Sequence, residues 1–282
     1  MTNVIDGILG IADQYDSFVF DQFGVLHDGK KPYANVTEVL RHLKGQNKKI
    51  LMLTNSGRSA EANYSRLSTI GIAGDSIDVI LTSGDTAKDH LLPHYVREKG
   101  TKCYRISSAN ETPESLTSAV KNLQVVDNIA DCDFVYLSGM PEGLAETWAT
   151  DLLPKLVAAG APMLCSNPDF VAPVGSDLMI SPGTIAKAYE DAGGPVERVG
   201  KPFPIIYDVV KQHLEKLNCH KTLCVGDSYH HDIFGAHNAE FDSFLVLTGV
   251  HKALFQNTEI LPAFQAYLFQ DGISPTWISH TL

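Results

Sequence analysis

The chain has 282 residues, 44% of them apolar and 20% charged, with a formal net charge of −11. That length allows two domains with a substantial core, and no apolar run approaches the roughly 18 residues a membrane span needs. Acidic residues spread along the chain argue against nucleic acid as a general partner, because phosphate backbones are met by clusters of Lys and Arg; a small phosphate ligand needs only a local site. Residues 1–10 carry neither a basic region nor a long apolar stretch, so no signal peptide is expected. The five cysteines are odd in number and form no CxxC. They read as reduced, mostly buried thiols of a cytoplasmic protein, and a zinc site is not expected.

In chain order, short apolar runs recur and stop abruptly at a polar residue. Phe18-Val19-Phe20 stops at Asp21, Ile50-Leu51-Met52-Leu53 at Thr54, and Val79-Ile80-Leu81 at Thr82. Between the second and third runs, Ser59 to Ile70 reads as a helix with Ser59 as its cap. The stretch 85–195 looks like a second α/β unit. It has its own runs, Phe134-Val135-Tyr136-Leu137 and Pro162-Met163-Leu164-Cys165, and its own helical stretch, Glu146 to Ala159. Phe203 to Leu217 then carries one apolar stripe, Ile206, Val209, Val210, Leu214 and Leu217. The pattern returns with Leu223-Cys224-Val225-Gly226 stopping at Asp227 and Phe244-Leu245-Val246-Leu247 stopping at Thr248. Near-continuous apolar strands alternating with helices predict a parallel sheet buried on both faces, with right-handed crossovers. The expected architecture is a Rossmann-like α/β core of residues 1–84 and 196–282 with an inserted α/β cap of residues 85–195. Ligands of such sheets sit beyond the carboxyl ends of the strands, where Asp21, Thr54 and Asp227 would fall.

Four segments can carry chemistry there, and each has a plainer reading. Asp21 opens Asp21-Gln22-Phe23-Gly24-Val25-Leu26 and can face a ligand, or serve as a turn aspartate. The hydroxyls of Thr54-Asn55-Ser56 and the free N–H groups of the following helix can hold phosphate oxygens, or be an ordinary cap. Lys201, in Gly200-Lys201-Pro202, can neutralise crowded carboxylates or a phosphate, or be solvated. Asp227 and Asp232 can hold a hard cation and its waters. The adjacent His230 and His231 invite a transition-metal reading, but neighbouring histidines on a polar loop point different ways. Tyr229, Phe234, Trp148 and Trp277 read as packing residues.

The order and settings of these four segments resemble the motifs of the haloacid dehalogenase-like superfamily. The large insertion before Lys201, with Ser166-Asn167-Pro168-Asp169 and Ser181-Pro182-Gly183-Thr184, resembles its class IIA branch, which contains NagD-like sugar and nucleotide phosphatases. The resemblance implies a phosphatase of small phosphorylated metabolites, such as a sugar phosphate or nucleotide, with Asp21 as a nucleophile that forms an aspartyl-phosphate. It implies Mg²⁺ held by Asp21, the Phe23 backbone carbonyl and Asp227, with Asp232 acting through a water and pairing with Lys201. Thr54, Asn55 and Ser56 would bind the phosphoryl group, and caps of this kind can pair into a homodimer. Asn167 and Asp169 can face the substrate from the cap, or equally form a turn built on Pro168.

The chain departs from that pattern at Phe23, where most phosphatases of the superfamily carry a second aspartate as general acid and base. Such catalysis is worth about 10²–10⁴-fold. Three readings follow: a slow or specialised phosphatase, whose acid comes from elsewhere or whose substrate has a good leaving group; a ligand-binding or regulatory protein with little turnover; and a metal-free dehalogenase. His27 and Asp28 lie close enough in sequence to substitute as the acid, but read more plainly as a loop facing the cap or solvent.

Overall fold

The computed structural model describes residues 2–108, 111–174, 177–252 and 272–282. Its strands are β1 (Asn3–Val4), β2 (Ser17–Phe20), β3 (Lys49–Thr54), β4 (Val79–Thr82), β5 (Lys102–Ile106), β6 (Gln124–Val126) and β7 (Phe134–Leu137). They continue with β8 (Met163–Cys165), β9 (Val171–Val174), β10 (Asp177–Ile180), β11 (Val196–Arg198), β12 (Thr222–Gly226), β13 (Asp242–Val246) and β14 (Trp277–Ser279). Among the described residues they form a seven-stranded sheet in the order β1-β14-β13-β12-β2-β3-β4 and a five-stranded sheet in the order β11-β8-β7-β5-β6, with β9 and β10 as a separate pair. Every pairing within the two large sheets is parallel, and the β9–β10 pair is antiparallel.

The parallel arrangement follows from what each strand buries. Along β2, Phe18 and Phe20 join one apolar cluster and Val19 the other. In β3, Ile50 and Met52 go to the first and Leu51 and Leu53 to the second. Successive side chains of a strand face opposite ways, so a strand covered by helices on both sides needs apolar residues at every position. The helix Val36–Gly45 covers the first face with Val39, Leu40 and Leu43, and the helix Pro204–Lys216 covers the second with Ile206, Val210 and Leu214. The five-stranded sheet repeats the plan, with Val135 and Leu137 on one side and Phe134 and Tyr136 on the other.

Several local expectations meet their structures closely. Ser59 caps the helix Ala60–Thr69, its Oγ accepting from the Ala62 N–H at 3.3 Å. The expected helix over 146–159 runs as Leu144–Thr147, a π-helical turn Trp148–Leu152, and Leu153–Ala159. Pro154 supplies the physical reason, because a proline inside a helix lacks a donor and displaces the carbonyl one turn back, and a widened turn accommodates it. β11 pairs with β8, so the hydrogen bonding of the five-stranded sheet continues through Arg198, past the boundary expected at 195 and 196. Trp277 lies in β14, where its indole N–H donates to the Tyr15 hydroxyl at 2.9 Å. Among the described residues no helix is long and apolar enough to cross a membrane, and the five cysteines are unpaired.

The centre of the large sheet makes a direct prediction. Phe18 is fully buried, with its ring 6.1 Å from Tyr15 and 6.0 Å from Phe20. Phe18→Ala is expected to lower the unfolding free energy by about 3–5 kcal/mol, measured by denaturant titration. Leu178→Ala, at a side chain that is 56% exposed, is expected to change it by under about 0.5 kcal/mol.

Candidate active site

Three neighbouring strands of the large sheet, β12, β2 and β3, end at the same edge, and each delivers a polar group there. Asp21 follows β2, Thr54 is the last residue of β3, and Asp227 follows β12. The Asp21 N–H donates to the Val225 carbonyl at 2.8 Å, which continues the β2–β12 ladder and fixes where its carboxylate leaves the sheet. Asp232 lies on the π-helical turn Tyr229–Ile233, capped by Ser228, and its Oδ2 accepts the Ser228 N–H at 3.0 Å. One oxygen from each of Asp21, Asp227 and Asp232 lies within 4.8 Å of the others.

Lys201 joins this cluster from the loop between β11 and the helix Pro204–Lys216. Its ammonium donates to Asp21 Oδ1 at 2.6 Å and to Asp232 Oδ1 at 2.7 Å, and only 3% of the residue is exposed. Two glycines make these approaches feasible. Gly24 has φ +84°, and a Cβ there would overlap the Asp227 carboxylate. Gly200 has φ +122°, and a Cβ there would lie 2.6 Å from Asn55 Oδ1.

The electrostatics follow from three buried carboxylates sharing one ammonium. Burial pushes the Asp21 carboxyl up to about 7, with Lys201 pulling it down and Asp232 adding to the rise. Asp227 is also pushed up, by burial and then by Asp21 and Asp232, while the bond from the Val250 N–H works the other way. Burial alone would lower the Lys201 ammonium, but Asp21 and Asp232 outweigh it and hold its pKa above the ordinary value. Surplus negative charge in a dry, oxygen-rich cluster is what a divalent cation would neutralise, and an all-carboxylate donor set suits Mg²⁺ better than a softer metal. The residues present therefore fit the ion that the resemblance implies.

The expected site residues do not all take the same kind of place. Asp21, Phe23, Thr54, Ser56, Asn167, Asp169, Lys201, Asp227 and Asp232 all line one cleft of about 240 Å³. Asn55 departs from the expected phosphate contact, because its amide is already committed. It accepts from the Lys201 N–H at 2.6 Å, and its Nδ2 donates to the Lys201 carbonyl at 3.1 Å and to Asp169 Oδ1 at 2.7 Å. Asn55 thus positions Lys201 and Asp169, and it is not among the cleft-lining residues.

Neither His27 nor Asp28 lines the cleft. His27 is fully buried with its ring 4.5 Å from that of Phe23, and burial, reinforced by Arg66, pushes it down to about 4, so the imidazole is neutral. Asp28 accepts the N–H groups of Lys30 and Lys31 at 2.9 and 2.8 Å, an aspartate-centred turn. His231 does line the cleft, with Nδ1 3.4 Å from Asp169 Oδ1. Arg58, Asn63 and Arg66 also line it and were not read from the sequence. Asn63 and Arg66 stand three apart on the helix Ala60–Thr69, so they share a face. That spacing after Thr54-Asn55-Ser56 was the available signal.

Known proteins similar to this chain include hydrolases and phosphatases. A family profile described as haloacid dehalogenase-like hydrolase matches residues 18–126, and a second, HAD-hydrolase-like, matches residues 198–270. The chain is similar to the D-glycerol 3-phosphate phosphatase of Mycobacterium tuberculosis, with 26% identity over 278 residues, 96% of this chain and 71% of that protein. Among solved structures, a haloacid dehalogenase-like family hydrolase from Brucella suis superposes with a TM-score of 0.82 at 23% identity, covering 99% of both chains. A glycerol phosphate phosphatase from Mycobacterium tuberculosis, in complex with magnesium, superposes with a TM-score of 0.69 at 26% identity, covering 96% of this chain and 76% of that one. With two haloacid dehalogenase-like profiles matching residues 18–126 and 198–270, the chain belongs to the haloacid dehalogenase-like hydrolases.

Proposed function

We propose that this protein is a Mg²⁺-dependent phosphatase of small phosphorylated molecules, working through an aspartyl-phosphate on Asp21. The observation that carries the reading is the Asp21–Lys201–Asp232 bridge, 2.6 and 2.7 Å, beside Asp227 in the floor of the cleft. The phosphatase named for the relative from Mycobacterium tuberculosis supports the reaction class, and the magnesium complex of the similar structure supports the metal.

In this reading the free Asp21 carboxylate oxygen attacks phosphorus while Lys201 holds the other oxygen and offsets the charge shared by nucleophile and phosphoryl group. Thr54 and Ser56, both in the cleft wall, donate to the phosphoryl oxygens. Asn55 keeps Lys201 in register through two bonds to its backbone. Asp21, the Phe23 carbonyl and Asp227, with Asp232 acting through a water, would hold Mg²⁺, which when bound would supply positive charge to let a carboxylate approach a phosphate anion. The five-stranded unit acts as the cap, bringing Asn167 and Asp169 over the reacting group, and a water admitted to the cleft hydrolyses the aspartyl-phosphate. A second reading, a ligand-binding protein with little turnover, draws on Phe23, whose ring in the cleft carries no proton to give the leaving oxygen.

Turnover of 4-nitrophenyl phosphate separates the two readings, since its leaving group needs little protonation. Mg²⁺-dependent release of 4-nitrophenolate is expected, and Asp21→Asn should reduce kcat by at least about 10³-fold with the fold intact by circular dichroism. Phosphate binding without release would favour the second reading. Across a series of aryl phosphates, log kcat/KM should fall steeply as the leaving-group pKa rises; a flat plot would reveal a general acid in the cleft.

Metal and pH are linked through the same carboxylates. The folded pKa of Asp21, about 7, lies above the roughly 3.9 of an unfolded aspartate. Without metal, its contribution to stability is complete below the unfolded value and is lost as pH rises through about 7. Mg²⁺ competes with those protons, so its addition should raise Tm more at pH 8 than at pH 5.5. Equal shifts at the two pH values, measured by calorimetry against EDTA-treated protein, would count against metal binding at this cluster.

A further inference from the structure

Two arginines in the cleft have no part in the chemistry just described. Arg58 sits on the loop after β3 and Arg66 on the helix Ala60–Thr69, and both line the cleft with Asp21 and Phe23. The Arg66 guanidinium carbon is 4.8 Å from the centre of the Phe23 ring, and Nη2 donates to the Gly29 carbonyl at 3.1 Å. Arg66 is therefore held over the side chain two residues beyond the nucleophile.

The carboxylates of the cleft are engaged elsewhere. Asp21 and Asp232 hold Lys201, Asp169 holds Asn55, and Asp227 accepts from Val250. Among the described residues neither arginine forms an ion pair, and the Arg58 guanidinium makes no hydrogen bond. Arg66 is also pushed down in pKa, by burial and then by Arg58, which means the two cations repel each other. The bond to Gly29 gives Arg66 a structural task, and Arg58 feels the charge of Glu111 without pairing with it directly. Two half-buried guanidiniums that line one cleft, neither paired directly with a carboxylate, form a site suited to a ligand anion.

We propose that the preferred substrate carries a second anionic group on its leaving portion, a carboxylate or a second phosphate, and that Arg58 and Arg66 bind it. The proposal rests on the phosphatase reading and narrows it. As the Asp21 oxygen bonds to phosphorus, the P–O bond to the leaving portion breaks and its electron pair stays on the leaving oxygen, which takes its proton from water. The Phe23 ring has none to give, so negative charge builds on the leaving portion, next to the guanidinium that covers that ring. A leaving portion that already bears an anion gains binding from both arginines. A neutral polyol or sugar leaves them unmatched.

The test compares kcat/KM in Mg²⁺ for two matched pairs: 2-phosphoglycolate against 2-hydroxyethyl phosphate, and fructose 1,6-bisphosphate against fructose 6-phosphate. The anionic member of at least one pair should be preferred by roughly ten- to hundred-fold, and the pair that responds distinguishes carboxylate from phosphate. Arg58→Gln and Arg66→Gln should each bring that ratio toward one, whereas Arg97→Gln, at a side chain 67% exposed, should not. Because Arg66 also ties down the loop at Gly29, Arg58→Gln decides the matter if Arg66→Gln does not fold. Ratios near one in both pairs, with turnover abolished by Asp21→Asn, overturn the arginine assignment and leave the phosphatase reading standing. Absence of any Asp21-dependent turnover, including that of 4-nitrophenyl phosphate, removes both.

Discussion

An ammonium group that is almost wholly removed from water must be matched by anions, and Lys201 meets that demand with two carboxylates from distant parts of the chain. It pairs with Asp21 at 2.6 Å and Asp232 at 2.7 Å, across 180 and 31 residues of sequence. Removing one partner of such a pair leaves an uncompensated buried charge, a loss of about 3–5 kcal/mol. The surrounding structure serves this contact. The sheet edge fixes Asp21, the turn capped by Ser228 fixes Asp232, and the glycines at 24 and 200 let backbone and carboxylates approach closely.

The cluster lies where two sheets meet, and the seam is made of specific polar contacts. Asn55, at the end of β3, holds Asp169 from the segment between β8 and β9. The Ser83 hydroxyl, just after β4, donates to the Ser166 carbonyl, just after β8. The large sheet thus supplies Asp21, Asp227 and Asp232, and much of the wall comes from Asn167, Asp169 and Ser138 beside the five-stranded sheet and from Val171 and Met179 of the separate β9–β10 pair.

The strands that carry the site were legible because each is buried on both faces. Phe18 to Phe20, Ile50 to Leu53 and Leu223 to Val225 are unbroken apolar runs, and the polar residue that ends each one marks the sheet edge. Two of the strands that escaped notice have no such run. β5 reads Lys-Cys-Tyr-Arg-Ile and is only partly buried, and β1 is two exposed residues. Lys201, Asp227 and Asp232 were readable from order and setting. The task of Asn55 was not, since it depends on Asp169, 114 residues away, reaching the same amide. Arg66 was hidden for a related reason: its meaning comes from lying over Phe23, and nothing in a helical arginine announces what ring it will cover.

That single amide has a mechanical consequence. Asn55 grips the backbone of the lysine on one side and the carboxylate of Asp169 on the other. Any widening of the cleft that carries Asp169 outward must break its bond to Asn55, and the freed donor then belongs to the segment holding the lysine. Admission of a molecule and alignment of the charges that act on it become one coordinate, so a gate built on this seam would report its own position directly to the reacting centre.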